Sequence, residues 1–192
     1  MSTMKPRFNA AFLANTSNRL GLSNTLATVL PSRHQQSPDL FRVVEFAAKE
    51  ASSLGARFVD TSHILIALIH EASLAQRNTI NARLANFYNL RYSKVLDKAS
   101  SYFGLEAEAT PITSNSNLTE ATKRLFVTSV HIAQRYSSSV IKPEHVLLAI
   151  TMATNKSGAA YGTLIDLGID PQELNTKIEG LIQKEIFEEF LL

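Results

Sequence analysis

Few side chains in this chain of 192 residues could do chemistry, and they concentrate in two short phrases. One is Thr61-Ser62-His63-Ile64-Leu65-Ile66-Ala67-Leu68; the other is Pro143-Glu144-His145-Val146-Leu147-Leu148-Ala149-Ile150. A histidine acts as a general base, or as a metal ligand, only with a nucleophile, an acid or further ligands in reach. The chain has five histidines without clustered spacing and no cysteine, which excludes thiol nucleophiles, disulfides and zinc thiolates. No catalytic, metal or cofactor residues are therefore expected, and His63 and His145 read as sharing a packing or hydrogen-bonding duty in the first turn of a helix. Glu144 differs, because the first phrase has Ser62 at that place, and a carboxylate there at the least stabilises a helix N-terminus.

The elements that position these residues follow from the repeat itself. The phrases lie 82 residues apart (145 minus 63). At the same offset Ala47, Ala51 and Val59 match Ser129, Ala133 and Ile141. Leu84 and Phe87 match Leu164 and Leu167, and after a one-residue slip Leu90 and Val95 match Ile169 and Leu174. Such self-similarity marks units that bury their apolar faces against each other. Helices are expected over about 37–54, 61–71, 75–88 and 93–102, then over about 119–136, 143–154, 158–166 and from 171 to the end. Ser37-Pro38-Asp39 supplies a cap, a first-turn proline and a first-turn acid, and Gly55 can end that helix in a left-handed conformation. Strand signals are almost absent. The fold class is all-α, in two pseudo-symmetric four-helix repeats: repeat one 37–102, linker 103–117, repeat two 118–183, and a C-terminal helix extension 184–192.

Residues 1–36 form a basic arm with Lys5, Arg7, Arg19 and Arg33, many hydroxyl and amide side chains and no acid. That composition fits an organellar transit peptide, and equally a disordered arm; Leu20, Leu22, Leu26, Val29 and Leu30 could form a small docking helix. The formal charge of +2, with basic residues dispersed and no aromatic ladder, argues against a nucleic-acid partner. No run of about 18 apolar residues occurs, so no membrane span is expected. In the last helix Leu181, Ile182, Ile186, Phe187, Phe190 and Leu191 continue an apolar face opposite Lys184, Glu185, Glu188 and Glu189. That face is either core or, at Phe187, Phe190 and Leu191, a partner surface.

The second-repeat string Ile141, Pro143, Glu144, His145, Val146, Leu147, Leu148, Ala149, Ile150, then Leu164, Ile165, Leu167, Gly168 and Ile169, resembles the Clp N-domain family. This is the double four-helix repeat at the amino end of the ClpA, ClpB and ClpC AAA+ unfoldases. The first repeat is looser, with Ser62 in place of the usual Glu and Asn89-Leu90 in place of the Gly-hydrophobic step. The resemblance covers residues 37–183 and implies one Clp N-type domain; no Gly-x-x-x-x-Gly-Lys-Ser/Thr motif occurs in the chain. Its implied function is that of a non-enzymatic accessory or adaptor of a Clp-type AAA+ chaperone or protease, of the plastid ClpT or ClpC-N-like type. Its partners would be the Clp protease core or the unfoldase, and unfolded or marked clients. The alternative is the polypeptide- or phosphoarginine-recognition N-domain of an unfoldase. In the ClpC branch the glutamate before that His helps bind phosphoarginine, a carboxylate pairing with the guanidinium part, and Glu144 holds that position. The family's contacts gather in the groove between repeats, which makes Glu144, Ser62, Arg57 and Phe58 candidates. The location implied is the plastid stroma if residues 1–36 are a transit peptide, otherwise the bacterial cytoplasm.

Overall fold

The computed structural model describes residues 35–74, 79–108 and 117–189. The proposed transit arm up to residue 34, the docking helix within it, and Phe190 and Leu191 lie outside the described residues. Among those described, eight helices of at least eight residues form two sets of four. The first set is α1 (Pro38–Ser53), α2 (Thr61–Leu74), α3 (Ile80–Phe87) and α4 (Tyr92–Ala99). A single turn, α5 (Leu105–Glu108), precedes the second set: α6 (Glu120–Arg135), α7 (Pro143–Thr151), α8 (Ala159–Asp166) and α9 (Pro171–Glu189). Two-residue strands β1 (Gln35–Gln36) and β2 (Val140–Ile141) pair in parallel. No described helix is long and apolar enough to cross a membrane.

The paired phrases become the two central helices. Every residue from Thr61 to Ile69 in α2, and from Glu144 to Thr151 in α7, is buried, as expected of helices apolar on all sides. α1 packs along α2 and α6 along α7, while α2 and α7 also touch each other and join the halves into one core. Ser37 caps α1, its hydroxyl accepting the Leu40 N–H at 3.1 Å with Pro38 in the first turn; Thr119 caps α6 likewise. Equivalent helices also end alike. Gly55 after α1 and Ser137 after α6 have φ of 71° and 55°, and Asn89 after α3 and Gly168 after α8 have 49° and 76°. Each left-handed residue lets the next N–H turn back onto a carbonyl five residues earlier, from Ala56, Ser138, Leu90 and Ile169 at 2.7 to 3.0 Å. Asn89 thus performs the step for which the resembling family uses glycine.

Three expectations are adjusted. The helix expected from Ala75 is described only from Ile80, where Thr79 accepts the Ala82 N–H, and residues 75–78 lie outside the described set. The stretch expected to be a featureless linker contains α5, and its first residues pack on both repeats. Short parallel pairings, absent from the sequence reading, hold the halves together: β1 with β2, and a bridge between Val59 and Leu118. These pairings are exchanged between repeats, since the residues entering the first helix of each repeat pair with those entering the second helix of the other.

In α9, Leu174, Ile178 and Ile182 reach the core and Ile186 packs at its edge. Phe187 sits about 100° around the helix from Ile186 and is 65% exposed. The extension is therefore core along one line and surface at Phe187.

Candidate functional site

The exchange creates two equivalent junctions. At the first, the Thr119 N–H donates to the Val59 carbonyl at 3.1 Å beside the start of α2; at the second, the Ser37 N–H donates to Ile141 at 2.9 Å beside the start of α7. Each junction thus gathers a helix cap from one repeat and a helix N-terminus from the other, where free N–H groups attract anionic oxygen.

The two histidines do the same work in both. His63 Nδ1 accepts the Asp60 N–H at 3.2 Å, and His145 Nδ1 accepts the Lys142 N–H at 3.1 Å. An imidazole three residues into the helix reaches back to the residue before it, as a Gln or Glu does in a capping box. Burial, with the Lys142 charge beside it, lowers the His145 pKa to about 4, so the ring is neutral and able to accept. Both rings are buried, which gives the expected structural duty a definite form.

The first junction also assembles Ser62, Asp60 and His63, the residue types of a hydrolase triad. Their connectivity is different. The Ser62 hydroxyl donates to Asp60 Oδ1 at 2.5 Å, the His63 N–H donates to the same oxygen at 3.1 Å, and His63 Nδ1 lies 2.7 Å from it. Burial alone would raise the Asp60 carboxyl, but its contacts with His63 and Ser62 bring it below its usual value. The serine proton faces the carboxylate rather than a base, and His63 Nε2 has no hydrogen-bond partner and lies fully buried with the ring stacked on Phe103 at 5.0 Å. A nucleophile needs a base within hydrogen-bond reach and access to substrate; this trio provides a buried cap instead.

The candidate binding residues separate accordingly. Ser62 is 0% exposed and Phe58 is 7% exposed, so neither contributes surface, contrary to the sequence reading. Ser62 is drawn inside by Asp60, and Phe58 by its apolar ring ahead of Val59. Arg57 is exposed, with its guanidinium 5.0 Å from the Phe58 ring centroid. Glu144 stands at the second junction, 9% exposed, with Lys142 Nζ at 3.9 Å. Burial raises its carboxyl above the usual range; its backbone amide and Lys142 oppose that, while Glu185 and Asp39 add repulsion. A cation beside such a carboxylate stabilises its charged form. Arg57 belongs to the first junction and Glu144 to the second.

The sequence reading missed Glu106. From α5 its Oε2 accepts the Thr61 N–H at 3.1 Å and the Thr119 hydroxyl at 2.9 Å, while Oε1 accepts the Ala159 N–H at 2.7 Å and the Thr61 hydroxyl. These partners stand 45, 13 and 53 residues away in sequence, and no local pattern announces them. No cluster of three or more His, Cys, Asp or Glu suited to a metal occurs among the described residues.

Comparison with known proteins places this geometry. The family described as "Clp repeat (R) N-terminal domain" matches residues 72–161 and 117–186. Chaperone protein ClpC1, chloroplastic, of Arabidopsis thaliana is 27% identical over 143 residues, 73% of this chain and 14% of that protein. The chloroplastic ClpA homolog of the Clp protease ATP-binding subunit from Brassica napus is equally similar, with 15% of its length covered. The chain thus spans about one seventh of the length of these relatives. The crystal structure of the N-terminal domain of the chaperone ClpD from Arabidopsis thaliana superposes with a TM-score of 0.62 at 20% identity, covering 80% of this chain and 97% of that one. The family matches together run from residue 72 to residue 186, more than half of the chain, and the chain belongs to the Clp repeat N-terminal domain family.

Proposed function

We propose that the protein is a non-enzymatic accessory or adaptor of a Clp-type AAA+ chaperone or protease, docking on the Clp complex and aiding substrate delivery or assembly. The observation that carries this reading is the likeness over 73% of the chain to ClpC1, together with the match to the Clp repeat N-terminal domain. The polar groups that would suit an enzyme, Ser62, Asp60 and His63, are consumed as helix caps. The exposed end of α9 at Phe187 suits a protein contact. Chloroplast-named relatives favour the plastid stroma as the place of action. Affinity capture with the full chain tests the reading: Clp protease or unfoldase subunits are the expected recovery, and unfolded clients without any Clp subunit would contradict it.

Glu144 favours a second reading, recognition of a guanidinium-bearing mark such as phosphoarginine, because its carboxylate is buried without full compensation. Titration of free phosphoarginine into the protein and into Glu144→Ala decides it. Binding weakened at least tenfold in the variant is expected, and identical titrations would sink this version while leaving the docking role standing.

A further inference from the structure

The two junctions are built alike and filled differently. Thr61 at the start of α2 corresponds to Pro143 at the start of α7, so the first junction has an N–H and a hydroxyl to donate where the second has neither. Glu106 takes both donors, together with the Thr119 hydroxyl and the Ala159 N–H, so one carboxylate bonds to the starts of α2, α6 and α8. The residues before it are fastened independently. Tyr102 packs against Gly162, where an added Cβ would come within 2.6 Å of the ring, and its hydroxyl donates to Asp166 Oδ2 at 2.9 Å. Phe103 stacks on His63 of repeat one, and Gly104, with φ of 85°, turns the chain back toward the junction. Tyr102 thus holds repeat two, Phe103 holds repeat one, and Glu106 bonds to both.

We propose that residues 102–106 are an intramolecular clasp and that the Glu106 carboxylate is the resident ligand of the first junction, closing it to outside anions. Three donor-bearing helix starts meeting one buried-edge carboxylate form a carboxylate site, and the chain supplies its own occupant. The clasp ties the two repeats together at the place where the family symmetry is broken, next to Ser62. This inference rests on geometry alone and stands whether or not the protein docks on a Clp complex.

Amide hydrogen exchange on the full chain tests it, comparing wild type with Glu106→Ala in chloride and in sodium acetate at equal ionic strength. In chloride the Thr61 and Ala159 amides of the variant should exchange at least tenfold faster, with the His145 amide of the second junction unchanged. Acetate should restore protection at Thr61 and Ala159 in the variant and leave wild type unaffected. Unchanged exchange in the variant, or equal slowing by acetate in both proteins, would overturn the proposal. Should Glu106→Ala fail to fold, Glu106→Gln keeps the side chain's size but turns an NH2 toward donors; faster exchange confined to Thr61 and Ala159 supports the clasp, and wild-type protection refutes it.

Discussion

Acid should unfold this protein through His145. Its ring is neutral in the folded state because burial lowers its pKa from 6.5 to about 4. Between those values the unfolded chain takes up a proton that the folded protein refuses, so stability rises with pH. The contribution is complete above pH 6.5 and is lost as pH falls toward 4. With one proton worth 1.36 kcal/mol per pH unit, going from about pH 7 to pH 4.5 removes about 2 to 2.5 kcal/mol. Two neighbours modify the total. Glu144, whose carboxyl is raised, is easier to accommodate as pH falls toward 4.5, which offsets part of the loss; Asp60, which is lowered, adds a loss of its own below about pH 4. His145→Gln isolates the histidine, because a glutamine oxygen can still accept the Lys142 N–H and does not titrate. Urea unfolding followed by circular dichroism at several pH values gives the free energy for each protein. The wild-type curve should fall below that of the variant by about 2 kcal/mol more at pH 4.5 than at pH 7. Parallel curves, or an NMR titration placing the His145 imidazole near 6.5, would refute the reasoning.

Other outcomes follow from the packing. Leu148→Ala, buried in α7, should lower stability by about 2 to 5 kcal/mol in urea unfolding, and Leu65→Ala in α2 by a similar amount. Ser137→Gly should stabilise by about 0.5 to 1 kcal/mol, because a serine at φ of 55° carries a cost that glycine lacks. Gly162→Ala should destabilise by about 1 to 3 kcal/mol through the clash with Tyr102, and adding Tyr102→Ala should recover part of that loss; simple additivity in thermal melts would contradict the contact.

The repeat was legible because equivalent positions carry equivalent burdens. Apolar residues on every side of two short phrases require two buried helices, and Ser37-Pro38 and Gly55 mark helix limits through local backbone chemistry. The histidine role was legible only as a shared duty; that Nδ1 accepts a backbone N–H three residues back needed the geometry of the first turn. Phe58 and Ser62 were misplaced on the surface because short-range pattern does not report which way a loop residue turns once the other repeat packs over it.

By itself the sequence determined an all-α double repeat and one carboxylate, Glu144, where the first copy has Ser62. Those features depend on residue type and on contacts within a few residues, which linear order preserves. Only the tertiary structure decided that the repeats exchange their entry strands, that Ser62, Asp60 and His63 form a sealed cap, and that Glu106 fills the first junction. Each of these joins groups far apart along the chain, and their energy comes from buried donors finding an acceptor that local pattern cannot name.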